Sequence, residues 1–550
     1  MPIKTGSHEP NMYHMKKSVL LFIALVVSLP IFSQDKSDWV AGYPDGCTSI
    51  TAGKMATTDG SVFTSHTDDS HRTRSEIIIV LGQDYSTGSK MPLYKRIACD
   101  TTAMPSYQNI RIGEIPQAKH TYHYINTAYP CMNEFQLGIG ESTFGGRDCL
   151  QSDAGLIDCQ RLCQLILERC KTAREAIILT DALTKEYGWN DYGECLTISD
   201  KNEVWHLEIV GPGKGEVGAI WAAQRVPDDH ISCNCNASRI LEIDLNNKEY
   251  FMASDNIFTM ARDSAWWNPE KEVFRFAYAY APESRKSLAS RRREWRIFDL
   301  LAPSLHLDPN DENYPFSVKP DSLVSIDKLI VVFQDYYEGT PYDMTRCITT
   351  TDKDGKTTIS PLANPFMPYD ELSLHNVSGG WYSTNHDGSI QFLGERTIAR
   401  WYTMYGTLIQ SRSWLPDEIG GVAWIALDNI ATSVYVPLYC SITDLPQSYK
   451  TPGRTKGYTL QSAWWVFNRL GTLAAQRWGD MRHDVDAAWK PWQKELIRNQ
   501  NNIDKFAQNM KSTKKRVEFL TQYSNDQANK AVTKAIELGD FLWTKYDEKF

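Results

Sequence analysis

The run Cys47-Thr48-Ser49-Ile50-Thr51-Ala52-Gly53-Lys54-Met55-Ala56-Thr57-Thr58-Asp59-Gly60-Ser61-Val62-Phe63-Thr64-Ser65-His66-Thr67-Asp68-Asp69 reads as strand, Asp-Gly turn, strand, the signature of a β-hairpin with polar residues at its far end. The returning strand brings His66 and Asp69 back beside Cys47. A carboxylate in that position can hold an amine and tune its protonation by charge and hydrogen bonding. Three readings of Cys47 compete. It is a structural cysteine, a lipid-anchored cysteine, or a nucleophile exposed by cutting the Gly46–Cys47 bond. An anchor requires the cysteine directly at the end of the hydrophobic run, and Asp35, Lys36, Asp38 and Asp45 intervene. A terminal cysteine has a chemical advantage: an α-amino group with a pKa of about 7.7–8.0 is partly neutral near pH 7 and can take the thiol proton itself. One residue then supplies nucleophile and base.

Upstream of the hairpin, Met15-Lys16-Lys17 precedes the apolar run Ser18 to Phe32, and Ser33 offers a small residue for cleavage. A basic start followed by a short apolar stretch predicts an export signal over 15–33. The run is shorter than the roughly 20 residues a membrane-spanning helix needs, and no later stretch is long enough. Residues 1–14 read as an upstream-start or non-native extension. Residues 34–46 then form a propeptide, and a periplasmic or extracellular location follows. Net charge is −9, with no long basic block, which argues against nucleic-acid binding. Hydrophobic residues at 42% and charged residues at 23% exclude disordered, collagen-like and coiled-coil classes for the bulk. Twelve cysteines in 550 residues are too sparse for a disulfide scaffold. Cys159, Cys163 and Cys170 read as buried free thiols of a helix.

Beyond the hairpin, further segments carry a pattern. They are Met132-Asn133-Glu134-Phe135-Gln136-Leu137-Gly138-Ile139-Gly140-Glu141-Ser142-Thr143, Trp205 to Gly213, Trp221 to Asp228, Asn236-Ala237-Ser238-Arg239-Ile240 and Arg291 to Arg296. Together with the hairpin, these resemble the PepD-type cysteine dipeptidases of the N-terminal-nucleophile (Ntn) hydrolase superfamily, over Cys47 to about Pro452. They are also similar to choloylglycine hydrolases and penicillin V acylases. The resemblance implies an α+β fold, the four-layer αββα sandwich, acting on dipeptides or short peptides without metal or cofactor. It implies Cys47 as nucleophile, Asp69 orienting its amine, Thr143 N–H and the Asn236 side chain as oxyanion donors, and Arg293 completing the network. Asn234 is the rival to Asn236, and the Arg291-Arg292-Arg293 run could instead be a solvated helix face. A charged peptide terminus needs an opposite charge, for which Glu141 and Asp68 are candidates. His66 stands where the relatives often carry Arg, so its charge depends on pH. Alternatives are the same fold acting on another linear amide, such as a bile-acid conjugate, or a non-enzymatic exported binding protein anchored through Cys47.

Periodicity predicts a buried strand over Glu76–Gly82, two helical pieces over Leu156–Tyr187 broken at Lys171-Thr172, and strands at Glu194–Ser199, Val204–Val210 and Ala219–Arg225. Ser304–Asp370 reads as surface connections. The division predicted is a hydrolase domain over 47–455 and a C-terminal helical appendage over 456–550, a packing element or a homo-oligomer contact. Gly213-Lys214-Gly215-Glu216-Val217-Gly218 matches a dinucleotide fingerprint, but a strand follows where a helix is required, so it reads as a turn. His66, Asp68, Asp69 and His71 match no metal spacing.

Overall fold

The computed structural model describes residues 46–99, 106–366 and 395–549, together with 382–384 and 390–392. The predicted extension, signal segment and propeptide lie outside the described residues except for Gly46. Two large sheets, antiparallel throughout, dominate. The seven-stranded sheet runs in the order Ser317–Val318, Ile231–Asn234, Gly46–Ala52, Val62–Asp69, Thr403–Ser411, Val422–Leu427, Val436–Tyr439. The predicted hairpin therefore sits at its centre. The eight-stranded sheet runs Phe251–Ala253, Ile220–Val226, Val204–Val210, Gly193–Ser199, Gly138–Gly145, Met132–Asn133, Tyr124–Asn126, Ile78–Val80. The Gly213–Gly218 segment is the turn between two of its strands.

Strand alternation sorts the eight-stranded sheet into two faces. Leu196, Trp205 and Leu207 meet Leu162, Leu165, Ile166 and Ile177 of the helices Cys159–Arg169 and Ala173–Tyr187. Those helices begin where the sequence supplies caps: Asp158 accepts from the Arg161 N–H and Thr172 from the Glu175 N–H. The intervening residues face the other sheet and are small or polar. Thr64 Oγ1 donates to Thr197 O at 2.9 Å, Ser49 Oγ donates to Glu141 O at 3.0 Å, and Thr51 Oγ1 lies 2.9 Å from His206 Nε2. The sheets come so close that a Cβ on Gly140 would stand 2.1 Å from Ser65 O, which only glycine permits.

The helices Ala463–Gln476, Trp478–Gln508 and Thr513–Lys545 share one apolar core with the seven-stranded sheet. Phe467, Trp489, Leu520 and Ala531 join Trp424 and Leu438 there. Two expectations change. Glu76–Gly82 yields only Ile78–Val80, with Ile78 41% exposed, because this strand is the sheet edge and pairs on one side alone. Within Ser304–Asp370, the apolar run Leu329-Ile330-Val331-Val332-Phe333 lies in the helix Ile326–Phe333, whose Leu329, Ile330, Val332 and Phe333 enter the core while Val331 is exposed; residues 367–370 lie outside the described part. No described helix is long and apolar enough to cross a membrane.

Candidate active site

The hairpin register sets Cys47 opposite Asp68 and Gly46 opposite Asp69. On the other side of the Gly46–Ala52 strand, Ser49 pairs with Asn234 and Ile50 with Cys233. Continuing that register two residues past the end of the Ile231–Asn234 strand puts Asn236, not Asn234, beside Cys47. Asn236 turns there with φ +64°. Its Oδ1 accepts the Cys47 N–H at 3.0 Å and its Nδ2 donates to Thr143 O at 2.7 Å. Asn234 instead donates to Ala237 O at 2.9 Å.

Arg293 is 2% exposed on the helix Leu288–Leu301, so the solvated-face reading of this arginine does not hold. Its Nε donates to Ala289 O at 2.9 Å, Nη1 to Cys47 O at 2.7 Å and Thr48 Oγ1 at 3.0 Å, and Nη2 to Cys235 O at 2.9 Å and Asn236 Oδ1 at 2.8 Å. All five guanidinium N–H groups are used. Because Arg293 and the Cys47 amide both donate to Oδ1, the amide orientation of Asn236 is determined.

Asp69 does not take the Cys47 N–H, which goes to Asn236 Oδ1. Its carboxylate accepts from Thr67 Oγ1 at 3.2 Å and Thr403 Oγ1 at 2.6 Å and pairs with Arg396. Arg396 is a site residue that sequence reading missed. It also borders Gly46, where a Cβ would lie 3.0 Å from Asn236 Oδ1 and 3.2 Å from Arg396 Nη2.

The thiol faces the opposite sheet. Cys47 Sγ donates to Glu141 Oε1 at 3.2 Å, and His66 Nε2 is 3.5 Å from the same oxygen. Thr143 Oγ1 donates to Glu194 Oε1 at 2.8 Å. Glu194 is a second missed residue; a carboxylate inside the apolar Gly193–Ser199 strand was its signal. Burial pushes the Cys47 thiol well above its ordinary value, and Glu141, Asp68 and Asp69 push it further. Burial also raises Glu141, but His66 and the Cys47 thiol outweigh this and hold it below the usual carboxylate range. Glu194, buried beside the charged Glu141, is raised well above it. Burial lowers His66, and Glu141, Asp68 and Asp69 more than compensate, so the imidazole is raised. His71 is outside this group: its ring stacks on Tyr402 at 4.4 Å and burial drives it down to about 3.

The seven other residues expected from the sequence therefore gather around Cys47 or one residue behind it. A thiol, a neighbouring main-chain nitrogen, a held amide and buried carboxylates suit acyl transfer to sulfur. The sequence pattern of Peptidase family C69 matches residues 46–491, starting one residue before the thiol. Full-length relatives agree. A probable dipeptidase of Latilactobacillus sakei is 24% identical over 508 residues, covering 88% of this chain and 93% of that protein. Probable dipeptidase B of Lactococcus lactis is 24% identical over 501 residues, covering 89% and 93%. Dipeptidase A of Lactobacillus helveticus is 23% identical over 457 residues, covering 80% and 83%. With the match spanning most of the chain and opening at the buried thiol, this protein belongs to peptidase family C69.

Proposed function

We propose that this protein is an exported cysteine dipeptidase with the Ntn-hydrolase sandwich, whose nucleophile, Cys47, becomes the first residue of the mature chain. The family and the dipeptidase relatives support the reaction class. The observation that carries the mechanism is the position of Cys47, with its nitrogen against Asn236 Oδ1 and its sulfur against Glu141. While Gly46 is attached, that nitrogen is an amide and cannot act as a base. Cutting Gly46–Cys47 turns it into an amine on the same residue as the thiol.

The thiol proton then passes to the amine as sulfur attacks the peptide carbonyl. The protonated amine donates to the leaving nitrogen, and water hydrolyses the thioester. One Asn236 Nδ2 hydrogen is held by Thr143 O, so the second is available to the oxyanion together with the Thr143 N–H. Arg293 fixes Asn236, and Asp69, opposite the excised residue, orients the new amine. Glu141 and Asp68 face a substrate ammonium, with His66 adjusting the charge of Glu141. The test is direct. Active enzyme should begin at Cys47 by intact mass and N-terminal sequencing, Cys47→Ala should accumulate precursor without hydrolysis, and N-acetylation of a dipeptide should sharply lower kcat/KM. Active protein that still carries residues before Cys47, or equal turnover of free and acetylated dipeptide, contradicts this reading.

A further inference from the structure

Three donors of different elements converge at the nucleophile. Cys47 Sγ, a ring nitrogen of His66 and a carboxylate oxygen of Glu141 all lie within 4.8 Å of one another, and each residue is 5% exposed or less. The distances are 3.2 Å from Sγ to Oε1 and 3.5 Å from Nε2 to Oε1. Zinc bonds of about 2.3 Å to sulfur and 2.0–2.2 Å to nitrogen and oxygen, set tetrahedrally, place donors about 3.3–3.6 Å apart. Both distances to Glu141 Oε1 therefore lie close to that spacing. His66 Nε2 meets Glu141 Oε1 only at ion-pair distance, and among the described residues neither it nor Glu141 Oε2 makes a close hydrogen bond. The imidazole is held edge-on by Tyr129 and Tyr405, with ring centroids 5.5 and 5.7 Å away, so its Nε2 stays beside the Glu141 carboxylate.

We propose that Cys47, His66 and Glu141 form a binding site for a thiophilic divalent cation, zinc above all, whose occupancy blocks the nucleophile. Binding displaces the thiol proton and the proton on His66 Nε2, both of which leave to solvent, and forms zinc–sulfur and zinc–nitrogen bonds, and nothing is oxidised or reduced. Thiolate and Glu141 together supply two negative charges, so a divalent cation neutralises a buried site that already has Asp68 opposite Cys47. Once Gly46 is removed, the Cys47 amine closes a five-membered chelate ring and offers the fourth donor. Sulfur and imidazole donors disfavour magnesium and calcium, which require oxygen. The inhibitory consequence rests on the nucleophile reading above; the site itself does not.

The experiment titrates metal-stripped mature protein with zinc alone, measuring bound zinc by native mass spectrometry, alkylation of Cys47 by iodoacetamide, and dipeptide hydrolysis. One zinc per chain should suppress alkylation and hydrolysis together, EDTA should restore both, and magnesium should do neither. His66→Ala should weaken zinc binding by at least the roughly 10–100-fold that loss of an outer-shell partner costs a metal site. If that variant does not fold, cobalt in the wild-type protein should give a thiolate charge-transfer band that alkylation abolishes. Zinc bound while Cys47 alkylates at its metal-free rate, undiminished affinity in folded His66→Ala, or hydrolysis that requires zinc would each overturn the proposal. One zinc bound through Cys47 in a protein with no peptidase activity would confirm the site and refute the peptidase reading instead.

Discussion

Asn236 joins three parts of the site: it accepts from the Cys47 nitrogen and from Arg293, and it donates to Thr143 O. A fixed amide in a dry pocket stabilises developing oxyanion charge far more than it stabilises the ground-state carbonyl. Asn236→Ala should lower kcat of the mature fraction by about 10²–10³, with Cys47 still open to alkylation, whereas Asn234→Ala should stay near wild type in single-turnover assays. Gly46 provides a separate test of maturation. A methyl group there meets Asn236 Oδ1 and Arg396 at 3.0 and 3.2 Å, and overpacking of this kind costs about 1–3 kcal/mol. Gly46→Ala should slow maturation about tenfold, a barrier rise within that range. It should leave kcat of the matured enzyme unchanged, because residue 46 has then been removed. Equal maturation rates, followed by mass spectrometry, would show that the precursor strand relaxes.

Between elements, the C-terminal helices do more than cover apolar surface. Arg412, just past the Thr403–Ser411 strand, is 2% exposed, pairs with Asp504 of the Trp478–Gln508 helix, and donates to Gly420 O at 2.9 Å and Ile419 O at 2.6 Å. Tyr439 Oη donates to Asp504 Oδ1 at 2.7 Å. Removing one member of a buried pair leaves the other charge uncompensated, which costs about 3–5 kcal/mol. Asp504→Ala should lose that much in urea denaturation. The double change Arg412→Met with Asp504→Leu should recover most of it, since no lone charge remains. A double variant as unstable as the single one would mean that the pair's geometry, not its charge balance, holds the helix.

For the whole molecule, pH acts on stability through groups buried between layers. Asp428, following the Val422–Leu427 strand, is pushed up to about 7 by burial, which outweighs the hydrogen bond it accepts from Asn468 of a C-terminal helix at 2.8 Å. In the unfolded chain it titrates at about 3.9. From about pH 4 to 7 the folded chain therefore keeps a proton that the unfolded chain has lost. This contribution is complete below pH 4 and disappears as pH rises through 7. Asp428→Asn cannot ionise, so its stability relative to wild type should rise over that window by up to about 4 kcal/mol. A flat difference between the two melting curves across pH 4–8 would place the proton elsewhere.

The hairpin from Cys47, the helix break at Thr172 and the strands around Leu196 and Leu207 were legible in the sequence. Period, turn residues and caps act over a few neighbours, and every one of those neighbours is visible in the chain. The edge exposure of Ile78 was not legible, because it depends on whether a further strand pairs beside it. Asn234 and Asn236 are the same residue type two positions apart, and only the register against the Cys47 strand, 189 residues away in sequence, decides which amide meets Cys47. Three consecutive arginines look alike until the packed helix turns Arg293 inward with all its donors engaged. Arg396, 327 residues from Asp69, carries no local motif, and the carboxylate of Glu194 acquires its place in the site only from the neighbouring strand of Thr143. Residue chemistry and local period thus singled out Cys47 and its hairpin, while long-range strand register and close sheet packing, which no local window contains, decided what surrounds the thiol.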